Sequence, residues 1–130
     1  MTKIRTMFFV ATVCLLSACG IFGKHGGLLK SSPAEQEFSS GVKSYEEGDY
    51  RTSMVALQGA LDMGLNSKGD QVTAYKYLAF IHCISGREKQ CRDNFKKAFE
   101  IDPHFDLKPA EAGHPVWGPV FRGVKGKPVK

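Results

Sequence analysis

The chain has 130 residues, 42% hydrophobic and 24% charged, with a formal charge of +5. That bounds it to one small domain with appendages and excludes two large domains or a disordered or collagen-like chain. A multi-span membrane protein is excluded as well, since no apolar run reaches the roughly 20 residues that cross a bilayer. The charge is uneven: residues 19–33 carry +2, residues 34–103 carry −2 and residues 104–130 carry +3. A near-neutral body with basic ends gives no support to a nucleic-acid role. Lys125, Lys127 and Lys130 read as a solvated end, or as a weak attraction for anionic headgroups or an acidic partner.

The chain opens with Lys3 and Arg5, then an apolar run over residues 7–16, then Leu16, Ser17, Ala18 and Cys19. Basic residues, a short apolar run and small residues in that order make a secretory signal. An ordinary signal peptide that happens to contain Cys, or a short membrane anchor, is the plainer alternative. The placement of Cys19 resembles the bacterial lipobox. The resemblance implies a signal peptide over residues 1–18 and a diacylated Cys19; beyond that covalent lipid, no cofactor or metal is expected. Several acyl chains hold a protein on a membrane where one does not. In enterobacterial lipoproteins an Asp after the lipidated Cys marks inner-membrane retention; Gly20 therefore implies an outer-membrane anchor facing the periplasm. Residues 19–33, rich in Gly, Ser and Lys, read as a flexible tether reaching roughly 20 Å.

From Ala34 the periodicity is helical. Ser32 and Pro33 suit a helix start, with Glu35 in the first turn. Phe38, Val42 and Tyr45 recur on one face, and Gly48 breaks the run. Residues 50–63 form a second helix, with Met54, Leu57 and Leu61 on one face. Residues 64–69 read as a loop, and Asp70 as the cap of a third helix ending near Ser85. Gly86 is the next break, and residues 87–101 are a fourth helix ended by Pro103.

A shift of 38 positions lays the first helix pair on the second. Gly41 falls on Ala79, Gly48 on Gly86, Ser53 on Cys91, Leu57 on Phe95 and Ala60 on Ala98. Small residues meet small ones and bulky residues meet bulky ones, which is how stacked repeats read. Residues Tyr75, Leu78, Ala79, Gly86, Cys91, Phe95, Ala98, Phe99 and Pro103 resemble a tetratricopeptide repeat. Gly41, Tyr45, Gly48, Tyr50, Leu57 and Ala60 resemble a second copy. The family's period is about 34 residues, so four extra positions are expected within residues 64–69. Glu37 and Ser40 depart from the pattern where the second copy has Tyr75 and Leu78. The implied fold is all-α: two tetratricopeptide-type hairpins over residues 34–103, stacked as a short solenoid.

Two repeats leave an open face. Residues 104–130 are expected to supply a capping segment and a basic tail. Phe105 and Leu107 form an extended apolar pair, and residues 109–113 a turn or short helical turn. Trp117, Val120, Phe121 and Val124 share one helical face, with Pro115 able to take its first position. Trp117 and Phe121 then either cover the last hairpin or form an exposed anchor for a partner. A second copy of the chain on the open face is the other way to close it.

The sequence carries no catalytic motif. His25, His82, His104 and His114 lack metal-site spacing, and His82 fits a packing position. An enzyme is not expected. Cys83 and Cys91 flank the Gly86 turn in what should be an oxidising compartment, so a disulfide is one reading and two small buried residues the other.

The tetratricopeptide resemblance implies a groove for a protein partner, lined by the first helix of each hairpin. On this chain those positions are Glu35, Phe38, Val42, Tyr45 and Glu46, then Thr73, Lys76, Phe80, Cys83 and Ile84. The layout, and above all residues 109–122, resembles small lipoproteins associated with type VI secretion in proteobacteria. That implies an envelope scaffold that helps assemble or localise the apparatus. The alternative is a periplasmic regulator of cell-wall synthases or hydrolases.

Overall fold

The computed structural model describes residues 31–126. Within them the chain is all-helical: α1 (Pro33–Glu46), α2 (Tyr50–Asp62), α3 (Lys68–Ile84), α4 (Glu88–Ile101), α5 (Pro109–Ala112) and α6 (Trp117–Lys125). The expected signal peptide, Cys19, most of the tether and Lys127 to Lys130 lie outside the described residues.

Local chemistry sets the helix ends. Ser32 and Glu35 form a reciprocal capping box, with Glu35 N–H donating to Ser32 Oγ at 3.2 Å and Ser32 N–H to Glu35 Oε2 at 2.8 Å. Asp49 caps α2 by accepting from the Thr52 N–H at 3.1 Å. Gly48, Gly64 and Gly86 turn the chain with φ of 81°, 88° and 72°, a region that side chains with a Cβ avoid. The start of α3 differs from expectation. Ser67, not Asp70, is the cap, accepting from the Asp70 N–H at 3.2 Å. Asp70 instead lies in the first turn, where its charge faces the positive end of the helix dipole. Residues 68 and 69 therefore belong to the helix rather than to a loop, and α3 has 17 residues against 14 in α1. Part of the excess length between the hairpins lengthens a helix.

The helices pair as α1 with α2 and α3 with α4, and α3 also lies against α1 and α2. The pairs approach closely where the sequence is small. A Cβ on Gly41 would stand 2.8 Å from the Leu57 side chain. Ser53, fully buried, donates its hydroxyl to the Gly41 carbonyl at 2.8 Å. In the second pair Ala79, Cys91, Phe95 and Ala98 are all fully buried. Two apolar clusters result. One holds Ala34, Leu57, Leu65, Ala74 and Leu78; the other holds Phe80, Phe95 and Phe99.

The tail completes the second cluster. Phe105 and Leu107 fold back into it, and α6 lies on α4 and α3. Trp117 and Phe121 are 9% and 2% exposed. This corrects the anchor reading: both rings face the core, because Phe80, Phe95, Phe99 and Phe105 offer them an apolar seat that solvent does not. α6 starts at Trp117 rather than Pro115, which leaves Pro119 in its first turn, where a missing N–H costs little.

Two glycines should respond oppositely to added volume. Gly41→Val drives a side chain into Leu57 and should cost about 1–3 kcal/mol. At Gly123 no atom beyond its chain neighbours and its own helix backbone stands within 4 Å of a built Cβ. Gly123→Ala should therefore stabilise by up to about 1 kcal/mol through helix propensity. Urea midpoints of the two variants check both signs.

Candidate functional site

The face built by α1 and α3 carries a run of rings. Tyr50 stands 5.4 Å from Tyr45, Tyr45 4.3 Å from Tyr77, and Tyr77 6.1 Å from Phe80. Phe80 then stacks on Trp117 at 4.1 Å, and Trp117 on His114 at 3.4 Å. Offset and edge contacts at these spacings add to the area that the rings bury. Lys76 Nζ lies 4.7 Å from the Tyr77 ring centre and 5.8 Å from that of Phe80. It is held by Glu111 of α5 at 2.7 Å, with both side chains mostly out of water. The Glu111 carbonyl accepts from Trp117 Nε1 at 2.8 Å, and its carboxylate from the Lys108 N–H at 3.0 Å. One acidic residue therefore ties the start of α5, the Trp117 ring and α3 together.

The expected groove residues divide accordingly. Tyr45 and Phe80 meet across the two helices, with ring centres 6.4 Å apart. Phe80 is 1% exposed and Lys76 8%, both beneath the tail. This corrects the expectation of an open groove over the second hairpin: the chain supplies its own ring and its own counter-charge there. Phe38 and Val42 are half-buried against the Leu57 and Leu78 cluster. Glu35 is committed to the α1 cap. Thr73 is half-buried, Glu46 is exposed, and Ile84 is 38% exposed. Tyr77, Tyr50, Glu111 and His114 were not expected on this face. The repeat alignment sets Tyr77 against Ser39, so periodicity carried no signal for it.

Burial sets the titration of the face. The Tyr45 phenol is pushed up to about 12, by burial first and then by Tyr50, Tyr77 and Glu111. Tyr77 is raised by burial and by Glu111 and Glu46. Both are neutral hydroxyls across physiological pH.

Cys83 and Cys91, eight positions apart in sequence, form a disulfide with Cα atoms 5.1 Å apart. The bridge crosses the α3–α4 turn. A loop this short contributes about 2–3 kcal/mol in the chain-entropy account. On the other side of α3, Leu78 and His82 floor a depression of about 460 Å³ walled by Met54, Val55 and Asp62 of α2. The buried His82 Nδ1 has no hydrogen-bond partner among the described residues. Burial, then Arg87, lowers the His82 pKa.

No cluster of three or more metal-ligating side chains occurs among the described residues. No helix among them is long and apolar enough to cross a membrane. No family model, curated protein or solved structure matches the chain.

Two measurements check the site. Lys76→Met or Glu111→Leu alone leaves one charge mostly desolvated and should cost about 2–4 kcal/mol, while the double variant should lie within about 1 kcal/mol of the parent. Chemical denaturation in a double-mutant cycle reads this. His82 is a base with a lowered folded pKa, so below 6.5 the unfolded chain takes up protons that the folded chain refuses. Stability should fall as pH drops below 6.5, and His82→Phe should flatten that slope in urea midpoints measured across pH.

Proposed function

We propose that this chain is a lipid-anchored adaptor of the bacterial cell envelope, whose two helical hairpins stack as tetratricopeptide repeats to hold a protein partner. The observation that carries it is the repeat relation: Gly41 and Ala79, Ser53 and Cys91, and Leu57 and Phe95 sit at matching places in two paired helices. Paired helices that repeat at a fixed period build a surface for another protein rather than a reaction centre. The lipobox-like segment ending in Cys19 supports a lipid anchor, and Gly20 supports the outer membrane. Residues 109–122, by their resemblance to lipoproteins of type VI secretion, support a role as an accessory that assembles or positions that apparatus. The half-exposed rings of Tyr45, Tyr50 and Tyr77, beside the exposed Glu46, are the surface offered to the partner. Tyr is well suited to such a contact, since it buries much area for little lost side-chain freedom.

A crosslinked pull-down from native envelopes through a C-terminal tag tests this. Components of the type VI membrane complex or baseplate should be enriched and lost in Cys19→Ala, and Tyr45→Ala/Tyr77→Ala should reduce their capture severalfold. Enrichment of murein synthases or hydrolases in their place would overturn the secretion assignment in favour of a cell-wall regulator.

A further inference from the structure

The first hairpin has no counterpart to the Cys83–Cys91 bridge. The equivalent positions are Tyr45 and Ser53, and Ser53 spends its hydroxyl on the Gly41 carbonyl. The bridge is thus confined to the hairpin that carries the tail. Its neighbours along each helix are specific. Phe80 precedes Cys83 by three residues on α3, and Phe95 follows Cys91 by four on α4, so each lies one turn away on the same helix face. The two rings meet edge to face with centres 6.0 Å apart. Together they are the seat of the tail: Trp117 stacks on Phe80 at 4.1 Å, and Phe121 stands edge-on to Phe95 at 5.2 Å. Cys83 and Cys91, 6% and 0% exposed, lie in the same apolar cluster as Trp117, Phe121 and Val124. The first turn of α4 also faces the tail directly, as Glu88 and Arg92 line a recess with Pro115, Val116 and Val120.

α6 itself is a weak helix. Its nine residues include Gly118, Pro119 and Gly123, so its order depends on the seat rather than on its own propensity.

We propose that the Cys83–Cys91 disulfide is a redox latch for the C-terminal cap: the bridge fixes the spacing of Phe80 and Phe95, and its reduction releases Trp117 and α6 from α3. The reducing step takes two electrons and two protons from a dithiol reductant. The S–S bond breaks to two thiols, and the reductant leaves as its own disulfide. On the adaptor reading proposed above, the released form adds Lys76 and Phe80 to the surface offered to a partner, which the oxidised form does not. The latch itself does not require that reading.

Amide hydrogen exchange on the full chain in detergent, oxidised and after treatment with dithiothreitol, reads the latch directly. Exchange across Trp117–Lys125 should accelerate by about tenfold or more on reduction, while α1 and α2 stay unchanged. Trp117 is the only tryptophan, so its fluorescence quenching by acrylamide should rise in parallel. Cys83→Ala/Cys91→Ala should reproduce the reduced state without reductant. Phe80→Leu in the bridged chain should free α6 by itself, and reduction should then add less than about twofold, since the two act on one seat. An unchanged α6 on reduction overturns the proposal. So does equal acceleration of α1, α2 and α6, which marks a staple of the whole fold rather than a latch. Both outcomes are independent of whether any partner is captured in the envelope pull-down.

Discussion

Phe80 touches rings from three other helices: Tyr45 of α1 at 6.4 Å, Phe95 of α4 at 6.0 Å and Trp117 of α6 at 4.1 Å. It is 1% exposed and sits midway along the candidate face. The first hairpin, the second hairpin and the tail all use it as a common surface. A cavity at this position would be felt by all three, because protein interiors do not flow to fill gaps. Trp117, stacked on that ring, covers the second hairpin's side of the face. The packing of both hairpins and of the tail therefore draws on one side chain, with α1 left as the more open part of the face.

The electrostatics follow the same division. Lys76 is held almost out of water by Glu111, and that pair adds direction to a contact that is otherwise apolar. Stacked rings tolerate sliding, whereas a buried ion pair has one registration. The remaining ion pairs are exposed, such as Lys43–Glu47 and Lys89–Asp93 within single helices and Lys125–Asp106 between α6 and the segment that joins α4 to α5. Pairs of that kind contribute little and keep the surface soluble.

The all-helical class and the helix order were legible in the sequence because each helix carries its own signals. Ser32 with Pro33 and Glu35, Asp49, and the glycines at 48, 64 and 86 are local punctuation that needs no tertiary knowledge. The α3 start was misplaced because Ser67 and Asp70 are both acceptable caps, and local chemistry alone does not choose between them. The buried side of the hairpins was legible through the matching small residues. The face was harder. Lys76 looks like a solvent-exposed groove residue until Glu111, 35 positions away, is brought to it. Trp117 is equally consistent with an anchor and a cap until its neighbours are known. Tyr77 carried no periodic signal because its copy in the first hairpin is Ser39, and Glu111 carried none because a cap made once has no second copy to align with.

The positions of these contacts along the chain also set an order of assembly. The α1–α2 and α3–α4 pairs and the Cys83–Cys91 crosslink join residues close in sequence, whereas Trp117 must find Phe80 across 37 positions. Local contacts form early, and distant ones wait for the chain between them to be organised. Synthesis from the N-terminus likewise delivers both hairpins before α6 exists to dock. Until the last residues arrive, Phe80 and Phe95 are an exposed apolar pair, and this is the interval in which the folding chain is most exposed to aggregation.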